Sequence, residues 1–157
     1  MPRSLCMIYL IIAIIAIVTD QLIKYWVRAA LEPGETIRIL GDFFTITPLS
    51  NSGAALGVLS GQRIVLIIVP IVVIAVCLWY LLRHKDEHWT CKLSLTLIMA
   101  GGFGNLIDRA LFGQVTDMFS LSIFPPIFNL ADVCVTFGCA LLILYILFLD
   151  RPEKKGR

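Results

Sequence analysis

Residues 64–82 restrict the fold more than any other part of the sequence, because nineteen consecutive positions contain no Asp, Glu, Lys, Arg or His. A helix of this length rises about 28 Å at about 1.5 Å per residue, close to the ~30 Å of hydrocarbon in a bilayer. Pro70 predicts a kink, which a membrane helix tolerates when neighbouring groups re-satisfy the freed carbonyl. The run therefore predicts a transmembrane helix.

Three further apolar blocks, at residues 5–18, 93–107 and 133–149, have the same character. They explain why 59% of the chain is hydrophobic and 15% is charged, where a soluble domain has about 45–50% and about 25%. The first block lacks the small residues of a signal-peptide cleavage site, so we expect an uncleaved helix. We predict an α-helical polytopic membrane protein, a single membrane domain over residues 1–157. Its four transmembrane helices are expected at about 5–26, 63–83, 91–109 and 130–150.

The longest segment between these spans is an insert at about 27–62, which we predict to be external. Within it, ETIRILGDFFTITPL has β-branched and aromatic runs on either side of Gly41 and Asp42, a pattern typical of a small β-hairpin. Residues 51–57 then form a loop of small residues, where a backbone can approach a ligand closely.

The distribution of Lys and Arg predicts the orientation of the spans. With both termini in the cytoplasm, eight of these residues lie on the cytoplasmic side and five on the outside. This arrangement gathers Asp20, Asp108, Asp117 and Asp132 at the outer interface and leaves none at the midplane. The net charge of +2 is small and scattered, so nucleic acid is not an expected partner.

Residues 101–132 combine Asp108, Asp117 and Asp132 in an otherwise apolar stretch. An ionised carboxylate at the centre of a membrane helix costs about 2.5–3.5 kcal/mol, so three of them near a bilayer require an explanation. Two carboxyl groups in a partly dry site share one proton, as in an aspartic protease. One can then take a proton from water while the other donates to a scissile carbonyl.

Structural explanations compete with a functional one for each smaller group of polar residues. Asp20 and Lys24 share a helix face and could be a snorkelling pair that fixes helix depth. Asn105, Asp108 and Arg109 also share a face, and the adjacent acid and base could simply neutralise each other.

Asn129 and Asp132 have the spacing of a capping box, which alone would explain both residues. Capping does not explain Asp117, an acid flanked by Val115, Thr116, Met118 and Phe119 in the connection between the third and fourth spans.

The segment His84-Lys85-Asp86-Glu87-His88 matches the H-x-x-E-H pattern of some zinc proteases. That motif needs a helix and a third ligand, whereas this segment is a short charged connector between spans. A solvated cytoplasmic loop is the favoured interpretation, and we predict neither a metal nor a cofactor.

Two other classes of function remain open on the residues alone. A small proton-coupled transporter or channel would also keep acids in membrane helices, although its site usually lies near the midplane. A structural or assembly subunit would leave Asp117 and the asparagines without a task.

The ordered motifs resemble the bacterial lipoprotein signal peptidase (signal peptidase II) family over nearly the whole chain. The segments that carry the resemblance are Asp20-Gln21 with Lys24, Asn51-Ser52-Gly53-Ala54-Ala55, Gly104-Asn105-Leu106-Ile107-Asp108-Arg109, Val115-Thr116-Asp117 and Phe128-Asn129-Leu130-Ala131-Asp132. Two features depart from the family: Leu56 stands where Phe is common, and a short diproline link joins the last two motifs.

The resemblance implies an aspartyl endopeptidase of the bacterial inner membrane, with its active site at the outer leaflet. It would cleave prolipoproteins N-terminal to a diacylglyceryl-modified cysteine, with the signal peptide and membrane lipids as partners, and we expect a monomer. The insert would contain the family's β-cradle and a short interfacial helix. Carried over by motif, the catalytic pair is Asp117 and Asp132, and the supporting or substrate-binding residues are Asp20, Lys24, Asn51, Gly53, Asn105, Asp108, Arg109 and Asn129.

Overall fold

Four long helices and a small sheet at one of their ends make up the computed structural model, which describes residues 3–53 and 62–150. The helices are α1 (Arg3–Ala30), α2 (Arg63–Arg83), α3 (Trp89–Phe112) and α4 (Leu130–Leu144), the last continued by a π-helical turn (Tyr145–Leu149). The strands are β1 (Ile37–Leu40), β2 (Phe44–Asn51), β3 (Val115–Leu121) and β4 (Phe124–Phe128).

The predicted polytopic class is confirmed, because all four helices are long and apolar enough to cross a membrane. Their membrane-length segments are Met7–Ala30, Arg63–Arg83, Trp89–Phe112 and Leu130–Leu149. The predicted interfacial helix of the insert, Leu56 and the basic residues after Asp150 lie outside the described residues.

Helix α1 continues four residues beyond the expected end at Trp26. Lys24 and Val27 are both fully buried there. Helix α3 ends at Gly113, whose φ of 79° is left-handed and whose N–H donates to the carbonyl of Arg109. Glycine adopts that conformation without the steric cost that a Cβ would add.

Helix α3 is the central helix and packs against α1, α2 and α4. Gly101 lies so close to α4 that a Cβ there would meet the Ala131 carbonyl oxygen at 2.3 Å. A Cβ at Gly102 would make ordinary contact with Ile74, at 3.5 Å. Small residues in α3 therefore allow α4 to approach at Gly101 but are not needed for α2 at Gly102.

The sheet has four antiparallel strands in the order β1-β2-β3-β4. The predicted hairpin is present as β1 and β2, and Leu49 of β2 pairs with Asp117 of β3. The second hairpin, β3 and β4, was not predicted, because Pro125 and Pro126 argue against a central strand. Among the strands of residues 3–53 and 62–150, β4 lies at the edge and pairs only with β3, a position where proline is tolerated.

Candidate active site

Lys24 lies at the centre of a buried polar cluster where α1, α3, α4 and β3 meet. Its Nζ is 2.9 Å from Asp20 and 3.2 Å from Asp108, and it donates to Asn105 Oδ1 at 2.9 Å. Lys24 is 0% exposed, so it is a buried cation and not a snorkelling residue. A buried charge of this kind is stable only with partners as close as these.

Asp20 connects the first helix to the start of the fourth. Its Oδ1 accepts a hydrogen bond from the backbone N–H of Ala131 at 2.9 Å, in the first turn of α4. A Cβ at Gly104 would lie 2.8 Å from Asp20 Oδ2, so glycine leaves the space that this carboxylate occupies. Gln21 adds bonds from its Nε2 to the carbonyl of Gly104 (3.0 Å) and to Asp108 Oδ1 (3.3 Å).

Asn105 links Lys24 to Asp132. Because Lys24 donates to the Asn105 carbonyl oxygen, the amide nitrogen faces away and donates to Asp132 Oδ1 at 2.8 Å. The lysine thus fixes which way the amide points, and Asp132 receives its N–H.

Asn129 and Asp132 form the predicted capping box at the start of α4. The side-chain Oδ1 of Asn129 accepts from the backbone N–H of Asp132 at 2.9 Å, and Asp132 Oδ2 accepts from the backbone N–H of Asn129 at 3.1 Å. The side-chain Nδ2 of Asn129 takes no part in the cap, and it donates to Asp117 Oδ1 at 2.6 Å. Asn129 therefore contacts both candidate catalytic carboxyl groups, that of Asp117 through its side chain and that of Asp132 through its backbone N–H.

Asp117 is almost fully buried, and both of its oxygens accept hydrogen bonds. Asn51, at the end of β2, donates to Oδ2 at 2.9 Å, opposite the bond from Asn129. Burial raises the pKa of Asp117 to about 6, the negative charge of Asp132 adds to the rise, and the two amides and Lys24 oppose it. A carboxyl group with such a pKa can hold or release a proton near neutrality.

Arg109 braces the other side of Asn51. Its Nη2 donates to the carbonyl of Gly53 at 3.0 Å, and the N–H of Gly53 donates to Asn51 Oδ1 at 2.9 Å. Asp108 forms its ion pairs with Lys24 and Arg28, so its neighbour Arg109 is free to hold the strand end. Among the ion pairs of the described residues, Asp108 is therefore paired with Lys24 and Arg28 and not with Arg109.

All the predicted site residues are joined in one network of hydrogen bonds and ion pairs, although their individual roles stay predictions. Within residues 3–53 and 62–150, no buried side-chain nitrogen or oxygen lacks a hydrogen-bond partner. Sequence reasoning missed the contributions of Gln21, Arg28 and Thr116. Gln21 and Thr116 had a signal, their places beside Asp20 and Asp117 in motifs that carried the resemblance, whereas Arg28 had none.

The H-x-x-E-H segment lies at the opposite end of the helices and has structural partners. His88 caps α3 by accepting from the N–H of Thr90. Glu87 accepts hydrogen bonds from the hydroxyls of Tyr80 (3.1 Å) and Tyr145 (2.5 Å), so it ties α2 to α4. The segment is therefore more than the expected solvated loop, because Glu87 connects two helices. The described residues contain no group of three potential metal ligands.

Four membrane-length helices with a buried cluster of acids and amides at one end define a polytopic membrane protein, and two solved structures with a similar fold are bacterial membrane enzymes. One has a TM-score of 0.86 and 30% identity, and covers 95% of this chain and 94% of that chain. Another has a TM-score of 0.83 and 32% identity, with 91% and 94% coverage.

The chain belongs to the signal peptidase II family, whose sequence profile matches residues 12–148. A lipoprotein signal peptidase of Halothermothrix orenii is 41% identical over 96% of this chain and 99% of its own length. Those of Lactococcus lactis subsp. cremoris (37% identical, 93% and 96% coverage) and Staphylococcus aureus (32%, 94% and 92%) are also similar. Membership of this family makes the chain a membrane protease that removes signal peptides.

Proposed function

We propose that the protein is an aspartic endopeptidase that cleaves prolipoproteins N-terminal to their diacylglyceryl-modified cysteine. The observation that carries the proposal is the Asn129 side chain, which hydrogen-bonds Asp117 and the backbone of Asp132 at once. Two carboxyl groups that are both held by this one residue, Asp117 by its side chain and Asp132 by its backbone N–H, suit the shared-proton chemistry of aspartic proteases.

In the proposed reaction, a water molecule lies between the two carboxyl groups and attacks the scissile carbonyl carbon. Asp132 takes a proton from that water, while Asp117, the group with the raised pKa, donates its proton to the carbonyl oxygen. When the tetrahedral intermediate collapses, Asp132 returns its proton to the leaving amine and Asp117 recovers one from the hydroxyl. Both carboxyl groups end as they began.

The surrounding residues hold this pair and need not touch the reacting atoms. Asn105 and Asn129 orient the oxygens of Asp132, and Asn51 orients those of Asp117. Because these amides are held by Lys24 and by the strand end at Gly53, little reorganisation is needed during the reaction.

We place the site at the outer leaflet of the bacterial inner membrane, with both termini in the cytoplasm. Aromatic residues at both ends of the helices support a membrane that ends near the site. Tyr25 and Trp26 are exposed at the end that carries the sheet, and Trp79 and Trp89 at the other. The signal helix and the acyl chains would enter sideways between the spans, as membrane-embedded partners of a monomer.

The test is cleavage by purified protein in detergent, where no ion gradient exists. We expect a diacylglyceryl-modified prolipoprotein peptide to be cut before its modified cysteine, and the unmodified peptide to be cut far more slowly. Mass spectrometry of both fragments gives the position of the cut. A transporter or an assembly subunit would leave the lipidated peptide intact, and that result would overturn the proposal.

The pH profile tests the assignment of the proton to Asp117. We expect kcat to fall at high pH, with an apparent pKa above about 6, because bound substrate excludes water and disfavours the charged carboxylate further. Asn51→Leu removes a donor that stabilises that charged form, so the fall should move to higher pH. Steady-state kinetics of wild type and Asn51→Leu at a series of pH values measure the apparent pKa of this fall in kcat. A lower apparent pKa in Asn51→Leu would contradict the assignment.

A further inference from the structure

We propose that Arg28 is a positioning residue for the reaction, which sets the place of Asp117 by clamping the preceding residue, Thr116, from the opposite face of strand β3. The inference rests on the proposed function, because it gives Arg28 a task only if Asp117 is catalytic. The family resemblance supplied no role for this arginine.

The Arg28 guanidinium joins three elements at the end of α1. Its Nη1 donates to Thr116 Oγ1 of β3 at 2.9 Å and lies 3.7 Å from Asp108 Oδ1 of α3. Its central carbon sits 4.5 Å from the centre of the Phe112 ring, within the range of a cation–π contact. Because 29% of its side chain is exposed, Arg28 lies at the edge of the buried polar cluster.

Thr116 is held twice from this side. Besides the bond from Arg28 to its hydroxyl, its backbone N–H donates to Asp108 Oδ2 at 3.1 Å. Asp108 is itself fully buried and ion-paired to Lys24, so it is a rigid anchor. The backbone one residue before Asp117 is thereby fixed to both α1 and α3.

Asp117 projects from the other face of the strand, because successive side chains in a strand alternate. Its own hydrogen bonds come from the amides of Asn51 and Asn129, whereas Arg28 donates to Thr116. The arginine therefore acts on Asp117 through the backbone that joins it to Thr116. A misplacement of a catalytic group by about 1 Å can cost about a hundredfold in rate, so such a clamp matters for turnover.

Two variants of the clamp test the proposal. Arg28→Met removes the guanidinium and keeps an apolar stem, and Thr116→Val removes the hydroxyl with nearly the same shape. We expect each to lower kcat by roughly ten- to a hundredfold per folded enzyme, with KM almost unchanged. Because both remove the same bond, the double variant should be no slower than the slower single variant. Arg28→Lys, which can still donate to Thr116, should recover part of the rate.

A merely structural arginine would behave differently. It would lower the thermal midpoint and the yield of folded protein, yet leave kcat per folded enzyme at the wild-type value. That outcome, a loss confined to KM, or losses that multiply in the double variant would each overturn the proposal. If Arg28→Met fails to fold, Thr116→Val still decides, because it changes the side chain least.

Arg38→Ala is the matched control, since it removes an arginine whose ion pair with Asp42 (3.1 Å) is exposed and far from the cluster. Its kcat should equal that of wild type. Failure of the proposed function is recognised separately, because Asp117→Asn would then retain cleavage. If Asp117→Asn is inactive and the Arg28 and Thr116 variants are normal, only the positioning role is wrong.

Discussion

Asp117→Asn and Asp132→Asn are each expected to reduce cleavage of a lipidated prolipoprotein peptide by at least about 10²–10⁴-fold. A general acid or base typically contributes about 10²–10⁴-fold to the rate. When residues act as one catalytic unit, removing one of them can cost about as much as removing all of them. Asn keeps the size of Asp but cannot exchange a proton, so the pair loses either its donor or its acceptor. Single-turnover conversion of the peptide by purified variants measures the loss.

The comparison needs a carboxylate that is not in the site. Asp42→Asn supplies it, because the Asp42 side chain is 85% exposed and pairs only with Arg38 among the ion pairs of the described residues. This variant should cleave at the wild-type rate. If either site variant, folded and present at the normal level, still converts the precursor, the two aspartates are not the catalytic pair.

Lys24→Met is expected to have the largest effect on stability. It leaves the buried Asp20 without its ion pair and the buried Asp108 with Arg28 at 3.7 Å, and an unpaired buried charge typically costs about 3–5 kcal/mol. Activity should fall as well, because Asn105 loses the donor that fixes its orientation toward Asp132. Thermal unfolding in detergent, with cleavage measured on the folded fraction, separates the two effects.

A second substitution tests the cause of that instability. The double variant Lys24→Met/Asp20→Asn also removes the negative charge of Asp20, which Lys24→Met leaves without its ion pair. Its free energy of unfolding should therefore be higher than that of Lys24→Met alone. Lys85→Met, which changes an exposed lysine of the α2–α3 connector, should match wild type. Equal stability of Lys24→Met and wild type would mean that the ion pairs of the cluster contribute little.

Local patterns made most of the fold predictable. Uninterrupted apolar runs identified the helices, and the spacing of Asn129 and Asp132 identified the helix cap, since both features depend on neighbouring residues only. Strand β4 was missed because its two prolines are compatible with a strand only at a sheet edge, and edge position is a tertiary property.

Sequence motifs named most of the residues that the structure joins in one network, but not the contacts between them. Arg28 and Thr116 are 88 positions apart, and no local pattern indicates that an arginine at the end of α1 will reach β3. Asp20 and Ala131 are separated by 111 positions. Motif resemblance collected most of the residues, whereas their hydrogen-bond partners depend on how α1, α3 and α4 pack.

The bond between Asp20 and Ala131 also has a consequence for biosynthesis. Asp20 precedes Ala131 by 111 positions, so the ribosome has made α1, α2 and α3 before the backbone donor exists. A nascent chain without α4 lacks Asp132, and its Asp20 lacks the backbone N–H of Ala131 as a hydrogen-bond donor. Under the proposed mechanism, which needs Asp132, cleavage therefore begins only after the last span has been inserted.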